Sequence, residues 1–360
     1  MPFARDKPYN ELPKLPPVAE LETKAALKLT IRANAALAEL KGAEALIPNP
    51  ATLVRAIVLQ EAKLSSEIEN IVTTNDELYR AMSRDSAGDD PRTKEVLRYG
   101  EAVWAGVRHL DAGRPISPRL FEELATIIND AETDVRKLPG TRIGNPLTGE
   151  VRYTPPEGTD RIRGLLDNLC GYLSEERAVE ALIRLAAAHY QFEAIHPFRG
   201  GNGRTGRIVN VLYLIQRGLL RRPVLYLSGY LIEGRADYYR LLSAVTERGC
   251  WEDWVLFMLE GIETTAIETR RRIEAIHRSM TETQERVRQL APSVYSRELI
   301  ELVYSQPYTR ISAVEQSGIA KRQTASMYLR KLEKIGVLRS ERIWRETLYL
   351  NEALFELLSA

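Results

Sequence analysis

At residues 196–207 the chain reads HPFRGGNGRTGR, and the neighbouring segments are organised around this stretch. An apolar run with helical spacing, from Leu182 to Ile195, ends directly before it. A second apolar run follows from Ile208 to Ile215. We therefore predict a tight loop between two core helices, and we call residues 196–207 the central loop.

The central loop has the residue types of an anion-binding site. It contains four glycines, Gly200, Gly201, Gly203 and Gly206. Glycines let backbone N–H groups turn toward a ligand, and a helix N-terminus adds unpaired donors and a positive dipole end. Arg204 and Arg207 reach one side of the first helical turn, and His196 exchanges a proton near neutral pH. The pattern favours a phosphate chain as ligand. The alternative is a plain helix connection with a solvated face.

Length and composition are those of an ordinary globular protein. The chain has 360 residues, 44% hydrophobic and 28% charged, which leaves room for about two or three structural units. The net charge of +1 gives no global field for nucleic acid or an acidic membrane. The sequence has no apolar stretch long enough to span a bilayer and no signal-peptide pattern, so we expect no membrane partner. Cys170 and Cys250 are too few for a disulfide framework, which suggests a reducing, cytoplasmic setting.

The N-terminal part of the chain contains an arm and a helical region. Residues 1–18 are rich in proline and are predicted to form a flexible, extended arm. Residues 19–112 are predicted to be helical, with one helix over about 20–40 and a second over about 51–71. The prolines of Ile47–Pro50 separate these two helices.

Residues 113–290 are predicted to form a helical core that contains the central loop. Within it, residues 138–159 break the helical rhythm with several glycines and prolines. The side chains from Val151 to Thr154 alternate briefly before Pro155. We predict a short β-hairpin here, and a plain connector is the alternative.

Residues 291–360 have the pattern of a winged helix. A helix over about 296–304 precedes a helix-turn-helix over about 309–335 and two short strands. The basic side chains of this region are Lys321, Arg322, Arg330, Lys331, Lys334, Arg339, Arg342 and Arg345. They form either a recognition surface for DNA or the solvated face of a protein-interaction or dimer-packing module, because acidic residues dilute the patch.

The central loop resembles the signature of Fic-domain proteins, His-Pro-Phe-x-(Asp or Glu)-Gly-Asn-Gly-Arg-x-x-Arg, at every fixed position except one. Residues 64–70, LSSEIEN, resemble the family's inhibitory helix motif, (Ser or Thr)-x-x-x-Glu-(Gly or Asn), through Ser65 and Glu69. The predicted hairpin resembles the target-docking flap, and Asp237–Tyr239 resembles the segment bordering the adenine pocket. The resemblance implies a mainly α fold, with a helical Fic core, a short β-hairpin flap and a C-terminal winged-helix domain.

Most Fic proteins transfer AMP from ATP to a hydroxyl of a target protein. The resemblance therefore implies a nucleotidyltransferase of the protein adenylyltransferase type, which modifies a target protein or itself. Neutral His196 would take the proton of the attacking hydroxyl. The implied ATP-binding residues are Gly201, Asn202, Gly203, Arg204, Thr205, Gly206, Arg207 and Tyr238. The implied target-docking residues, which would pair main chain to main chain with an extended segment, are Val151, Arg152 and Tyr153.

Two residues outside the central loop have alternative interpretations. The resemblance implies that Glu69, in the motif with Ser65, pairs with Arg207 and blocks the place of the γ-phosphate. A solvated acidic residue on an amphipathic helix is the other interpretation of Glu69. Tyr238 either stacks on the adenine base or is a core aromatic residue.

Gly200 is the one departure from the signature, because the family has Asp or Glu at this position. That carboxylate helps to hold Mg²⁺ on the ATP phosphates. We expect Mg²⁺ here to be held mainly by the nucleotide phosphates and water. Either the transferase is weakened or differently tuned, or AMP transfer has been replaced by nucleotide binding or AMP removal.

Two further functions therefore stay open beside AMP transfer. The first is a transcription regulator whose winged helix binds DNA while the Fic core senses nucleotide. The second is an AMP-removing enzyme in which Glu69 orients a water molecule. A homodimer is also an expected form of the protein.

Overall fold

The computed structural model describes residues 3–47, 50–83, 90–144, 150–175, 179–343 and 346–359. Within these ranges the chain is mainly helical, as predicted, with two small antiparallel sheets. The N-terminal helices are α1 (Lys24–Ala43), α2 (Pro50–Ile68), α3 (Asn75–Met82) and α4 (Pro91–Asp111). The core elements are α5 (Pro118–Asn129), β1 (Ile143–Gly144), β2 (Val151–Tyr153), α6 (Thr159–Ser174), α7 (Ala181–Ile195), α8 (Asn202–Gln216), α9 (Leu227–Glu233), α10 (Arg235–Arg248) and α11 (Trp251–Leu290).

The two helices that flank the central loop, α7 and α8, lie at the centre of the core. Almost every side chain of α7 is buried, and most of α8 is buried as well. The Glu180 side chain begins α7 by accepting hydrogen bonds from the N–H groups of Leu182 and Ile183. Helices that are covered on all sides belong to a core, so the predicted position of the loop between two core helices is confirmed.

The N-terminal arm packs on the core, which corrects the prediction of a flexible segment. Leu12 and Leu15 are each only 5% exposed. The Asn168 amide accepts from the Leu15 N–H and donates to the Leu15 carbonyl, at 2.8 and 2.9 Å. Gln191 donates to the Pro13 carbonyl. The prolines keep the arm extended, and the two buried leucines between them fix it to the core.

The second predicted helix ends earlier than its pattern suggests. It was expected to reach residue 71, but α2 ends at Ile68 because Asn70 has φ +65° in the left-handed region. Glu69 therefore follows the last helical turn. Residues 48 and 49, in the predicted proline break, lie outside the described residues.

Two helices were missed by the sequence analysis. Helix α3 begins with a capping box in which Thr74 and Glu77 each bond the other's backbone N–H, a pattern that is readable in the sequence. Helix α9 begins at Leu227 without a side-chain cap, so its start leaves no capping pattern in the sequence.

The predicted hairpin is present as β1 and β2, which pair antiparallel. Ile143 lies opposite Tyr153, and Gly144 lies opposite Val151. Residues 145–149, between the two strands, lie outside the described residues. The hairpin is the only sheet between α5 and α6 in the described part of the chain.

The C-terminal domain has the predicted order of elements and one additional strand. Its elements are α12 (Arg297–Val303), β3 (Tyr308–Arg310), α13 (Ile311–Gln316), α14 (Arg322–Lys334), β4 (Arg339–Ile343), β5 (Glu346–Leu350) and α15 (Glu352–Ser359). The sheet order is β3-β5-β4. The first residues of the predicted helix-turn-helix, at about 309, therefore belong to a strand instead of a helix. Arg345 of the predicted basic patch lies outside the described residues.

The C-terminal domain contacts the N-terminal helices as well as α11. Helix α15 packs on α2 and α11, and the Phe355 ring meets the Tyr79 ring edge-on at 5.7 Å. Arg80 of α3 forms an ion pair with Glu341 of β4 at 2.8 Å. Across the described ranges, no helix combines the length and apolar character that a membrane crossing requires.

Candidate active site

A cavity of about 950 Å³ opens between the central loop, the hairpin, α10 and the N-terminal arm. The predicted site residues that line it are His196, Gly200, Gly201, Asn202, Gly203, Arg207, Glu69, Arg152, Tyr153 and Tyr238. Five others are not among its lining residues: Ser65, Val151, Arg204, Thr205 and Gly206. Most of the site predicted from one loop and three distant segments therefore surrounds one space.

The central loop is shaped by two left-handed residues. His196 ends α7 with φ +47°, and Gly201 begins α8 with φ +71°. The Asn202 amide closes the turn by accepting from the Phe198 N–H and donating to the Phe198 carbonyl, both at 2.9 Å. Asn202 is buried, so these two hydrogen bonds hold the turn in one conformation. The remaining N–H groups of the loop therefore point in a fixed direction.

His196 lies at the C-terminus of α7 with its ring facing the cavity. Among the described residues its Nδ1 atom has no hydrogen-bond partner. Burial, and then the positive charge of Arg136, lower the pKa of His196 from 6.5 to about 4. The ring is therefore neutral at pH 7 and has a nitrogen available to accept a proton. Arg136, which the sequence analysis did not single out, holds this turn by donating from Nε to the His196 carbonyl at 2.8 Å.

Glu69 occupies the N-terminus of α8. Its Oε1 atom accepts from the Arg204 backbone N–H and from Arg207 Nη2, both at 3.0 Å. Its Oε2 atom accepts from Arg204 Nε at 3.0 Å. The predicted contact between Glu69 and Arg207 is present, and the carboxylate is shared with Arg204 as well. The reason is that Glu69 follows the end of α2 and meets the first turn of α8 end-on.

Ser65 holds Arg207 in place for this contact. Arg207 Nε donates to Ser65 Oγ at 2.7 Å, and Nη2 donates to the Ser65 carbonyl at 2.8 Å. The Arg207 side chain is 2% exposed, and the nearby Glu69 charge raises its pKa against the effect of burial. The motif partners Ser65 and Glu69 thus bind one guanidinium from successive turns.

Glu95 is a site residue that the sequence analysis missed. Its Oε1 atom accepts from Arg204 Nη1 at 2.7 Å, and the Arg204 side chain is 6% exposed. Glu95 lies on α4, far from any recognised motif, so no local signal identifies it. Arg204 is therefore held by two carboxylates, Glu69 and Glu95.

Thr205 and Gly206 face the core rather than the cavity. Thr205 is fully buried, and its hydroxyl has no partner among the described residues. A Cβ on Gly206 would lie 2.9 Å from Phe192 and 3.1 Å from Glu193 Oε1. Both positions therefore let α8 approach α7 closely, which is a packing role.

Glu193 is a second missed residue, and it lines the cavity one turn before His196. Its Oε1 atom is buried without a hydrogen-bond partner in the described part of the chain. Burial raises the pKa of Glu193 to about 7, although the nearby Arg207 charge opposes this effect. Burying a carboxyl oxygen without a hydrogen bond costs folding free energy. Packing of the two helices alone therefore does not explain a glutamate at this position.

The residues at the loop do not form a protein metal site. Gly200 offers no side-chain ligand, and the described residues contain no group of three or more His, Cys, Asp or Glu that could hold a metal ion. A Cβ on Gly200 would lie 3.6 Å from Asn129 Oδ1, which is an ordinary contact. Binding of Mg²⁺ through the nucleotide phosphates therefore stays a prediction. Steric crowding does not require a glycine at position 200.

The hairpin borders the cavity through Arg152 and Tyr153. The Tyr153 hydroxyl donates to the Ala194 carbonyl at 2.8 Å, which fastens β2 to the end of α7. Arg152 is exposed and Val151 is half-buried, and within the described residues β2 pairs with no strand other than β1. An accessible strand edge is suited to main-chain pairing with an extended segment.

Tyr238 lies deeper than a base-stacking residue would need to be. It is 2% exposed, and its hydroxyl lies 3.0 Å from His189 Nε2, while His189 Nδ1 contacts the Asn210 amide. Burial lowers the pKa of His189 to about 3, so this histidine is neutral and its role is structural. The neighbouring Tyr239 also lines the cavity and is less buried.

Comparison with known protein families supports the resemblance over most of the chain. The Fic/DOC family N-terminal model matches residues 27–108, and the Fic/DOC family model matches residues 116–214. The model of the protein adenylyltransferase SoFic-like C-terminal domain matches residues 279–354.

Two curated proteins illustrate the similarity. A probable protein adenylyltransferase of Aquifex aeolicus (strain VF5) is 25% identical over 172 residues, which cover 45% of this chain and 49% of that protein. The protein adenylyltransferase fic-1 of Caenorhabditis elegans is 32% identical over 93 residues, which cover 25% of this chain and 17% of that protein. The chain thus spans about half the length of the first relative and less than a fifth of the second.

Solved structures share the fold at low sequence identity. A Fic family protein from Desulfovibrio desulfuricans G20 has a TM-score of 0.60 and 20% identity, covering 93% of this chain and 98% of that one. A Fic domain containing signaling protein from Bacteroides thetaiotaomicron VPI-5482 has a TM-score of 0.51 and 15% identity, covering 71% of this chain and 97% of that one. The loop signature, the family models and the shared fold agree, and the chain belongs to the Fic/DOC family.

Proposed function

We propose that this protein is a protein adenylyltransferase that transfers AMP from ATP to a hydroxyl of a target protein or of itself. The observation that carries the proposal is the juxtaposition of neutral His196 and the N-terminus of α8 in one cavity. A neutral base with one unpartnered ring nitrogen and an anion site with two arginines are the two parts that this reaction requires.

The residues have separate tasks in the reaction. The hydroxyl oxygen of the target forms a bond to the α-phosphorus, and its proton passes to a ring nitrogen of His196. The bond between the α-phosphorus and the bridging oxygen breaks, and its electron pair leaves with pyrophosphate. The N–H groups at the start of α8, with Arg204 and Arg207, stabilise the negative charge on the phosphates. Each of these groups is fixed before the nucleotide arrives, which lowers the cost of reorganisation.

The proposed autoinhibition follows from what Glu69 contacts. Its carboxylate bonds the same N–H group and guanidiniums that would bind the terminal phosphates. A phosphate and the carboxylate compete for these donors, so Glu69 must leave before ATP binds in a reactive position. Ser65 keeps Arg207 oriented in both situations.

The hairpin would position the target. An extended segment that pairs with the edge of β2 places its side chains alternately toward and away from the cavity. One of these side chains then presents its hydroxyl to His196. Because main-chain bonds hold the segment, this docking requires a hydroxyl but little other sequence information.

The proposal is tested by incubating the Glu69→Gly chain with ATP and measuring its intact mass, alone and with proteins from a cell extract. We expect AMP additions that disappear in the Glu69→Gly, His196→Ala double variant. An unchanged mass of every protein with the Glu69→Gly chain would overturn the proposal. Loss of AMP from a modified protein, dependent on Glu69, would instead favour the AMP-removing reaction.

Removal of Glu69 is also expected to change the rate. Breaking a charged contact to two buried arginines frees the phosphate site, and we expect AMP transfer to rise about 100-fold in Glu69→Gly. Asn70→Gly is the matched control, because Asn70 already has φ +65° and the variant keeps the carboxylate. Equal transfer rates in wild type and Glu69→Gly would contradict the inhibitory role.

DNA binding by the C-terminal domain is a second candidate function. Arg322, Arg330 and Lys334 are exposed and recur along one face of α14, the second helix of the helix-turn-helix. If this face binds DNA, genomic fragments shift in a gel with the wild-type chain and lose affinity with Arg322→Ala. No shift at low salt would exclude this function for the domain.

A further inference from the structure

The N-terminal arm is tied to the end of the hairpin by three hydrogen bonds. The Tyr9 N–H donates to the Thr154 carbonyl at 2.9 Å. The Thr154 hydroxyl donates to the Arg5 carbonyl at 2.7 Å, and the Glu157 N–H donates to Asn10 Oδ1 at 2.9 Å. These contacts give the arm a defined path directly after β2.

The aromatic residues of the arm pack on the hairpin. The Phe3 ring stacks on the Tyr153 ring with 5.9 Å between the centroids and 23° between the planes. The Tyr9 ring meets Phe3 edge-on at 5.3 Å. Phe3 is thereby held at the cavity, where it is one of the lining residues together with Tyr153.

On its other side the arm reaches α10. Arg5 donates from Nε and Nη2 to Glu247 Oε1 at 2.9 and 2.7 Å. Both side chains are partly exposed, so the ion pair orients the arm more than it stabilises the fold. The arm therefore crosses from the hairpin to α10 at one border of the cavity.

This border lies away from the phosphate end. Tyr238 and Tyr239 lie near the start of α10, where they line the cavity together with Arg207. Burial raises the pKa of both hydroxyls, and the nearby Arg207 charge opposes this effect. Glu247 is nine residues beyond Tyr238 on the same helix, about 13 Å along its axis. Between these points the lining of the cavity along α10 mixes apolar and polar side chains, namely Tyr239, Arg240, Leu242, Ser243 and Thr246. The rings of Phe3, Tyr153 and Tyr190 line the same cavity.

We propose that the N-terminal arm forms a wall of the base-binding end of this cavity and that Phe3 contacts the purine base of the nucleotide. The inference rests on the proposed function only in requiring that the nucleotide phosphates lie on the central loop. A base that extends from there along α10 reaches the stacked rings of Phe3 and Tyr153, which line the same cavity. Aromatic faces bind bases by stacking, whereas they contribute nothing to binding of phosphate alone.

The test compares ATP with inorganic tripolyphosphate, both titrated calorimetrically into the full chain with Glu69→Gly. Phe3→Ala is expected to weaken ATP binding about tenfold and to leave tripolyphosphate binding unchanged. Phe3→Tyr, which keeps an aromatic face, is expected to retain ATP binding. Val18→Ala is the matched control, because Val18 belongs to the same arm and is fully exposed.

A second set of variants tests the attachment of the arm to α10. Arg5→Glu is expected to weaken ATP binding about threefold, and adding Glu247→Arg is expected to restore it. Equal losses of affinity for ATP and tripolyphosphate in Phe3→Ala would mean that the arm only supports the fold. Unchanged ATP affinity in Phe3→Ala would contradict a contact between Phe3 and the base. Absence of ATP binding in the Glu69→Gly chain itself would overturn the proposed function, and the role of the arm with it.

Discussion

Gly200 is the residue at which this chain differs most from the signature of its family. It lies at the cavity with space for a side chain, since a Cβ would have only an ordinary contact with Asn129. Its φ is not in the left-handed region that favours glycine. Neither sterics nor backbone conformation therefore requires a glycine here, and the position can be tested by substitution.

We expect Gly200→Asp to make nucleotide binding more dependent on Mg²⁺. A carboxylate beside the phosphate site adds a hard oxygen ligand for Mg²⁺. The strengthening of ATP binding by Mg²⁺ should therefore be about tenfold larger with Gly200→Asp than with Gly200. Titration of ATP with Mg²⁺ and with EDTA, both in the Glu69→Gly chain, measures the difference. Gly171→Asp, which adds the same carboxylate at an exposed position of α6, should show no such gain. An equal effect of Mg²⁺ at all three chains would contradict this expectation.

Glu193 makes the free energy of unfolding depend on pH. Its pKa is raised from 4.5 to about 7 by burial, so the native state keeps a proton that the unfolded chain has already lost. The contribution of Glu193 to stability therefore falls as the pH rises from about 4.5 to about 7. Above pH 7 the native state contains a buried ionised carboxyl with an unpaired oxygen.

Glu193→Gln removes this pH dependence. Relative to wild type, the variant should gain about 1–3 kcal/mol of unfolding free energy between pH 5 and pH 8, as measured by urea denaturation. The control Glu132→Gln makes the same chemical change at an exposed position. If the difference in unfolding free energy between Glu193→Gln and wild type stays constant with pH, the raised pKa of Glu193 is contradicted.

The contact between α7 and α8 depends on a glycine. Gly206 lies against Phe192 and Glu193, and a methyl group there would come within 2.9 Å of the Phe192 ring. The close approach places His196, at the end of α7, beside the N–H groups at the start of α8. The distance between the two helices therefore also sets the distance between the base and the phosphate site.

Gly206→Ala is expected to lower the free energy of unfolding by about 1–3 kcal/mol, because the added methyl overpacks the helix contact. Gly164→Ala on α6 is the matched control, since a Cβ there has no neighbour within 4 Å. Alanine has the higher helix propensity, so this control should be neutral or stabilised by about 0.5–1 kcal/mol. Thermal or urea denaturation of the two variants distinguishes overpacking from propensity, and equal stability would contradict the packing role.

The C-terminal domain and the N-terminal helices meet at Arg80. Its guanidinium pairs with Asp76 at 2.6 Å and Glu341 at 2.8 Å, and it lies 5.4 Å from the centroid of the Tyr308 ring. The Tyr308 hydroxyl also donates to Asp76. These hydrogen-bonded carboxylates raise the pKa of Arg80, so the arginine is charged throughout the ordinary pH range. One side chain of α3 thus joins two strands of the C-terminal sheet to the helical region that contains Glu69.

We expect Arg80→Ala to lower the unfolding free energy by about 1–3 kcal/mol, because it leaves Asp76 and Glu341 without their shared cation. Arg297→Ala removes a pair between Arg297 and Glu301 within α12, where the arginine is 75% exposed, and should leave the unfolding free energy nearly unchanged. Urea denaturation followed by circular dichroism measures both. Equal effects of the two variants would contradict a structural role for Arg80 at the domain contact.

Local patterns predicted those parts of the protein that depend on neighbours in the chain. The apolar spacing predicted α7 and α8. The glycines of the central loop predicted its turn and indicated an anion-binding site. The Ser65–Glu69 spacing is also local, because the two side chains are one helical turn apart. The hairpin was predicted from glycines, prolines and four alternating residues. These features follow from backbone propensity and periodicity, which a sequence displays directly.

Packing between distant segments decided the rest. Glu69 reaches Arg204, 135 residues away in the chain, and shares its carboxylate with Arg207 because α2 ends at the N-terminus of α8. Glu95 and Glu193 belong to no recognisable motif, and they became site residues only through the approach of α4 and α7 to α8. The arm was expected to be flexible, yet its apolar side chains bury against the core. Sequence spacing determines which residues can share a face, whereas which faces meet depends on the free energy of burying them together.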